Sequence, residues 1–542
     1  MSEEIVFWAE KIAKGIQGRK KFHFLDKPIP EIKNPTVKSS SSLSGVLHIG
    51  RLSDIIRGEA VFRSLKENNS KVEFIYVTED MDPLRKVPKG VPASFNEYVG
   101  VPVSTVPDPE GCHSSYGEHF KEKFLDIFDG FLTYEPKLYS MSQEYKKGNF
   151  TPYILELVKK TQEVRGIIQR FQDSKISENW TSWKPICEKC GNLQTTVVTK
   201  INGDHVDYVC KDYSFEKTKA VGCGHEGTSH LKKAHGKLIW KSEWAAQWKR
   251  WGVVSEGAGK EYNAPNSAWF VNAEICEKVL DYPMPEPIFY EHLFIDGQKM
   301  SASIGNVVYP HEWLEVGRPE ALKLLYMKKL AKARSFSWKA LPLLEAELDK
   351  AAEAIASKGG KTKEQLQLGN LYRYSSVSGR KVLPIAADYS LVAYLASLFK
   401  NDSGLLGNLS ETGQISASLS SEEKKQLLER VSHARKWVEK YALDNYKIGF
   451  AEKIGPEVKK LIPKEAMPAL LKISVSLEGQ KSVDDVQKLI FETSKENEVN
   501  PKLVFEALYL ALIAKPKGPK IGTLVFAFGK RRVAERLREI AG

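Results

Sequence analysis

Apolar residues Ile5, Trp8, Ala9, Ile12 and Ile16 recur at helical spacing among acids and lysines, so the chain opens on an amphipathic helix instead of the unbroken apolar core of a secretory leader. A serine-rich loop and a helical stretch from Gly50 to about Asn68 come next, and then the apolar, partly β-branched run Val72–Val77, which reads as a buried parallel strand. Strand, loop, helix and strand make a βαβ unit, so Thr78, Glu79, Asp80 and Asp82, just past the second strand, face a ligand crevice. Residues 153–172 are helical. From about 180 to 236 the texture changes to short β-like pieces around cysteines, which marks an insertion. Patterned segments resume at Ala273–Leu280 and Ile288–Ile295, and the turn Asp296-Gly297-Gln298 leads directly into Lys299. Beyond 311 the pattern is almost wholly helical, over Glu320–Ala333, Leu341–Ala356, Ser421–Leu443, Val483–Glu496 and Pro501–Ala514.

The fold class read from this is an α/β Rossmann-type parallel-sheet domain with a small insertion, followed by an all-α C-terminal domain. The expected boundaries are 1–180 and 237–310 for the two halves of the α/β domain, 181–236 for the insertion, 311–345 for a connecting region and 346–542 for the helical domain. The chain has 542 residues and 42% hydrophobic content, enough for several packed cores. The most apolar run, Leu503–Ala514, contains Glu506 and is far short of the ~20 residues that span a bilayer, which argues against a membrane protein. Eighty Lys and Arg against 68 Asp and Glu give a net charge of +12, which favours a polyanionic partner such as nucleic acid.

Four of the six cysteines lie together. Cys187 and Cys190 form a C-x2-C knuckle, and Cys210, Cys223 and His225 follow, a spacing suited to a tetrahedral structural zinc whose last ligand is either Cys223 or His225. Cys112 and Cys276 read as ordinary thiols. This cysteine usage fits a reducing cytoplasm.

Two short segments carry phosphate chemistry. His48 and Gly50, at a loop-to-helix junction, lie beside free N–H groups and the positive end of a helix dipole, where anions bind. Lys299, Ser301 and Ser303 offer an ammonium and two hydroxyls, suited to charge gathering on a departing pyrophosphate. Together they resemble the HIGH and KMSKS signatures of class I aminoacyl-tRNA synthetases. Further stretches are similar to the class I lysyl-tRNA synthetase family: Arg85–Pro88, Gly111–His113 through Glu118–Phe120, Glu243 and Trp244 with Trp248, Gly257–Lys260, Tyr290 and Glu291, and Gly305–Val307.

The resemblance implies lysine activation by ATP, as its Mg2+ salt, and transfer to tRNA(Lys), with a zinc-bearing insertion and an anticodon-binding helical domain. It places His48 and Lys299 as catalytic groups and His48, Gly50, Gly257, Gly259, Lys299, Ser301 and Ser303 with ATP. It places Ser40, Ser42, Asp80, Glu243, Trp244, Tyr262 and Tyr290 near lysine. The substrate ammonium needs an acid, and Asp54, Asp80, Asp82 and Glu243 are the candidates. The chain departs from the family in its serine loop, Ser40 to Gly45, where GITPSG is usual; in Arg51 and Tyr262, where Asn and His are frequent; and in Ala302, at the second KMSKS lysine. A glutamyl or glutaminyl relative, a small-molecule nucleotidyltransferase and a zinc-containing RNA-binding protein are the competing readings.

Overall fold

Five short, β-branched or apolar segments pair side by side in a wholly parallel sheet, in the order Glu286–Tyr290, Val253–Gly259, Thr36–Ser41, Glu73–Thr78, Lys137–Ser140. Parallel strands need covered faces, and the long helix Ile49–Glu67 together with helices Trp240–Trp251 and Ala268–Lys278 carries the apolar residues that cover them. The computed structural model describes residues 6–43, 45, 47–68, 71–88, 90–126, 128–300, 306–357, 362–377, 383, 385, 387–416, 418–444 and 446–542. Numbered along the chain, the sheet order is the 3-2-1-4-5 of doubly wound dinucleotide folds. Its switch point lies between Thr36–Ser41 and Val253–Gly259, where such sheets open a crevice at their carboxyl ends.

The chain leaves this domain at strand Trp183–Pro185 and returns at Gly236–Leu238, and these two pair antiparallel to close the neck of the insertion. Above the neck, Thr196–Asn202, His205–Cys210 and Glu226–His230 form an antiparallel three-stranded sheet. The helical stretch expected at 153–172 is two helices, Thr151–Lys159 and Thr161–Gln169.

Two compact units divide the chain. One runs through His311 and includes Leu322–Phe336 and a segment from Asn370; the other holds Glu312–Ala321, Ser337–Gly369 and the remainder to Gly542. The second unit is helical, with helices Leu341–Ala356, Ser421–Lys440, Val483–Glu496 and Pro501–Ile513 close to the bounds the pattern predicts. Its fully buried Arg430 and Arg318 share the Asp349 carboxylate at 2.7 Å each. The helix expected at Glu320–Ala333 stops at Met327, because Arg334–Phe336 is drawn into parallel pairing with Leu293–Ile295 and the basic stretch between must turn back to reach it. Among the described residues no helix is long and apolar enough to cross a membrane.

Candidate active site

At the switch point the sheet opens into a cavity of about 640 Å³ lined by residues of both signature segments, His48 and Gly50 from one and Lys299 and Met300 from the other. His48 is the N-cap of helix Ile49–Glu67, and its Nδ1 accepts the Gly50 N–H at 3.1 Å. Burial, helped by the nearby Arg51 charge, lowers its pKa to about 4. The ring is therefore neutral near pH 7, and because Nδ1 is an acceptor its proton sits on Nε2, a donor for a phosphate oxygen. A Cβ on Gly50 would lie 2.8 Å from His48 Cε1 and 2.9 Å from Met300 Cε, so only glycine lets the imidazole and the second segment close on this helix end.

Lys299 lies on a hairpin, not on the free loop that its sequence context suggests. Leu293–Ile295 pairs antiparallel with Gln298–Lys299 across Asp296 and Gly297, both at positive φ (48° and 80°), the geometry that favours an Asp-Gly turn. Its Nζ is 3.4 Å from His292 Nε2. Arg51 and Arg85 line the same cavity and add two guanidinium groups for a polyphosphate that the two signatures do not announce; His292 lines it as well. Ser301 and Ser303 lie outside the described residues.

The lining also carries acidic and aromatic side chains. Ser40, Ser42, Trp244, Tyr262 and Tyr290 line the cavity, together with Gly257 and Gly259 at the end of their strand. A Cβ on Gly257 would sit 2.2 Å from Asp54 Oδ1, so the strand end comes close to that carboxylate only as glycine. Tyr290 OH donates to Asp54 Oδ1 at 2.9 Å. Glu256 is fully committed: Oε1 receives Lys38 at 2.6 Å, and Oε2 receives the indole N–H groups of Trp244 (2.9 Å) and Trp248 (2.7 Å). Glu79 receives one amide group, Gln247 Nε2, at 3.1 and 3.2 Å. Burial raises Glu79 to about 8 and Asp54 to about 6.

Two of the acids drawn from sequence are placed elsewhere. Asp80 is outside the lining; it accepts Ser142 N–H (2.8 Å) and the hydroxyls of Ser140 and Ser142 (2.6 Å each), bracing the start of helix Met141–Lys146. Glu243 is also outside the lining, with Oε1 accepting Tyr145 OH at 2.5 Å and Oε2 paired with Lys237. Asp82 lines the cavity, 3.4 Å from the same Lys237. Glu79 is the acid that sequence reasoning left out of the ammonium candidates.

In the insertion, the sulfurs of Cys187, Cys190, Cys210 and Cys223 lie within 4.8 Å of one another, with Cys187 to Cys223 at 3.6 Å and Cys190 to Cys210 at 3.7 Å. A tetrahedral zinc with bonds of about 2.3 Å holds its sulfurs ~3.8 Å apart, so the four thiols fit that ion. His225, the alternative fourth ligand, is not in this group: its Nε2 is 2.8 Å from Glu188 Oε1, and it reaches the site through its backbone, whose carbonyl accepts Cys210 N–H and whose N–H donates to the Cys223 sulfur.

Comparison with known proteins gives the family. The family model described as tRNA synthetases class I (K) matches residues 6–378, and one described as an anticodon binding domain matches 421–541. Curated relatives named lysine–tRNA ligase include that of Methanosphaera stadtmanae, 29% identical over 98% of this chain and 99% of its own. Those of Cenarchaeum symbiosum (30% identical, 98% of each chain) and Pyrococcus horikoshii (28%, covering 98% and 99%) match as fully.

Proposed function

The chain belongs to the class I (K) tRNA synthetases, and from that premise we propose that its cavity binds lysine and ATP side by side and joins lysine to tRNA(Lys). A lysine carboxylate oxygen attacks the α-phosphorus of ATP, the bond to the bridging oxygen breaks, and pyrophosphate departs with the electron pair. The terminal ribose hydroxyl of the tRNA then attacks the carbonyl carbon, releasing AMP. Such a site works by positioning and by stabilising phosphate charge. His48 Nε2–H and Lys299 Nζ are the donors for that charge, the signature assigns the hydroxyls of Ser301 and Ser303 to the same task, and Gly50, Gly257 and Gly259 leave room for the nucleotide. Mg2+ accompanies ATP and shares the neutralisation of its phosphates.

The observation that carries the amino-acid assignment is a pair of acids. Lysine brings two ammonium groups, and the lining offers two desolvated carboxylates, Asp54 and Glu79, that no ammonium or guanidinium group hydrogen-bonds among the described residues. A buried carboxylate without a cation partner is costly and holds its proton. Arrival of an ammonium removes that penalty. A glutamate side chain would meet repulsion from the same wall, which disfavours the glutamyl reading. Ser40, Ser42, Trp244, Tyr262 and Tyr290 shape the space for the aliphatic chain, while Asp80 and Glu243 act behind the wall as positioning groups.

Both acids must be ionised to receive lysine, and both have pKa values raised above the ordinary carboxylate range. Below its pKa each is neutral and attracts an ammonium little, so the KM for lysine is expected to fall as pH rises, by about a hundredfold per unit below about 6, where both acids are protonated, and by about tenfold per unit between about 6 and about 8, where only Glu79 is. Steady-state aminoacylation at saturating ATP and tRNA between pH 5.5 and 9 checks this. A lysine KM flat across that range removes the two acids from the ammonium sites.

The four cysteines Cys187, Cys190, Cys210 and Cys223 would hold a structural zinc that closes the insertion and takes no part in the chemistry. The helical unit serves anticodon recognition, and the reaction belongs in the reducing cytoplasm, where free thiols and tRNA coexist.

A further inference from the structure

Lys38 is the one charged residue of strand Thr36–Ser41, at the centre of the parallel sheet, and its side chain is wholly buried. Its Nζ donates to Oε1 of Glu256, the residue that faces it on the neighbouring strand, at 2.6 Å. It also donates to Ser40 Oγ at 3.1 Å, two residues on and on the same face of the strand. A lysine is almost never buried unless paired. A buried ion pair in turn contributes little to the fold, since apolar side chains of similar volume in its place are often neutral or stabilising. The pair therefore calls for a role outside stability.

Both partners of Lys38 line the cavity. Ser40 accepts from Lys38, and its own O–H donates to nothing among the described residues, so one donor is left for a ligand. Strand order puts that hydroxyl between the two acids of the site. On one side Glu79 follows the neighbouring strand, its N–H donating to the Ser41 carbonyl at 3.0 Å; on the other lies Gly257, against which Asp54 is held. With the substrate ammonium groups on the acids, the donor between them matches the remaining charged group, the carboxylate. A cation behind Ser40 favours an anion there and disfavours an ammonium. Through Glu256 the same Lys38 also holds aromatic lining in place: Oε2 accepts the indole N–H groups of Trp244 and Trp248, and Trp244 stacks on Trp240 with ring centroids 4.8 Å apart.

We propose that Lys38 is a positioning residue of the amino-acid site: its ammonium keeps Ser40 a donor to the substrate α-carboxylate and, through Glu256, fixes the Trp244 indole against the aliphatic chain. Ser40 touches the substrate; Lys38 acts only through its two partners. One carboxylate oxygen rests on the Ser40 hydroxyl and the other is left to attack the α-phosphorus, so the contact aims the nucleophile. The Lys38 charge also acts on both acids, lowering Glu79 and Asp54 against the burial that raises them. This role rests on the lysine reading of the cavity and adds to it how the carboxylate end is held.

Calorimetric titration of the full-length chain, with tRNA present, by lysine and by cadaverine, which is lysine without its carboxylate, separates the carboxylate contact from the rest. Ser40→Ala is expected to weaken lysine roughly 10- to 150-fold, the worth of a hydrogen bond to a charged group, and to leave cadaverine within about twofold. Lys38→Met should weaken both ligands, because the indole wall loosens, and lysine by the further factor seen in Ser40→Ala. Lys38→Met should also move the pH dependence of lysine binding upward, since Glu79 and Asp54 lose a neighbouring cation while Lys237, Arg57 and the acids Glu243, Asp82 and Glu256 remain; Ser40→Ala should leave it in place. Lys38→Met/Glu256→Gln removes both buried charges and should recover thermal stability without recovering the preference for lysine over cadaverine. Should Lys38→Met fail to fold, that doubly neutral chain and Ser40→Ala still decide. Lysine and cadaverine affected equally by Ser40→Ala, or full lysine binding in Lys38→Met/Glu256→Gln, overturns the proposal and leaves the lysine reading standing. An unmodified chain that binds no lysine brings down that reading and the proposal together.

Discussion

Replacement of Glu79 by glutamine, or of Asp54 by asparagine, is expected to lower kcat/KM for lysine roughly 100- to 4,000-fold while the KM for ATP stays within a few-fold of its original value. The magnitude follows from burial. Breaking a buried charge pair by removing one partner costs about 3–5 kcal/mol, because the other charge is left in a poor solvent, and each 1.4 kcal/mol is a factor of ten. Here the stranded charge would be a substrate ammonium, so the loss appears in lysine binding. The two variants should also differ in pH response. Glu79→Gln removes the dependence near pH 8 and keeps that near 6, and Asp54→Asn does the reverse. Asp80→Asn provides the contrast, since its carboxylate is spent on Ser140 and Ser142 outside the cavity and its loss should act on stability more than on lysine KM. Steady-state kinetics of the three variants, with each substrate varied in turn, gives the answer; an unchanged lysine KM in both Glu79→Gln and Asp54→Asn would leave the ammonium groups without their assigned partners.

The second large effect belongs to the phosphate side. His48→Ala and Lys299→Ala should each reduce kcat by roughly 10²- to 10³-fold, the usual consequence of removing one donor aimed at charge that develops in the transition state. ATP affinity should change far less, because the guanidinium groups of Arg51 and Arg85 still line the cavity. His48→Asn is informative beside His48→Ala. Its amide can donate to phosphate, but it loses the Nδ1 cap on Gly50 N–H and should recover part of kcat at some cost in stability, of order 1 kcal/mol for a lost helix cap. Circular dichroism and pyrophosphate exchange measured in the presence of tRNA separate the two contributions. Full activity in both alanine variants would remove the enzymatic reading of these segments.

Much of this cavity is legible in the chain because its chemistry sits at places the backbone pattern announces. His48 and Gly50 stand where a serine loop meets a helix, and Lys299 follows an Asp-Gly turn, so the two segments can be found without knowing how they meet. That they meet is a matter of strand order: Val253–Gly259 lies directly beside Thr36–Ser41, which no local pattern specifies. The acids show where such reasoning stops. Glu79 and Asp80 are neighbours in the turn past the same strand; which of them faces the crevice depends on Ser140 and Ser142 of another strand and helix capturing Asp80. Glu243 is withdrawn from the site by Lys237, a residue at the end of the insertion, through pairing visible only in the folded chain.

The central claim is that one cavity, lined by Arg51, Arg85 and Lys299 and by two acids that no cationic side chain hydrogen-bonds among the described residues, activates lysine and no other amino acid. Charging of total tRNA with each of the twenty amino acids in turn, with ATP, Mg2+ and the full-length chain, tests it most directly. Acid-stable label on tRNA with lysine alone is the result this account predicts; charging with glutamate or glutamine, or with no amino acid at all, would contradict it.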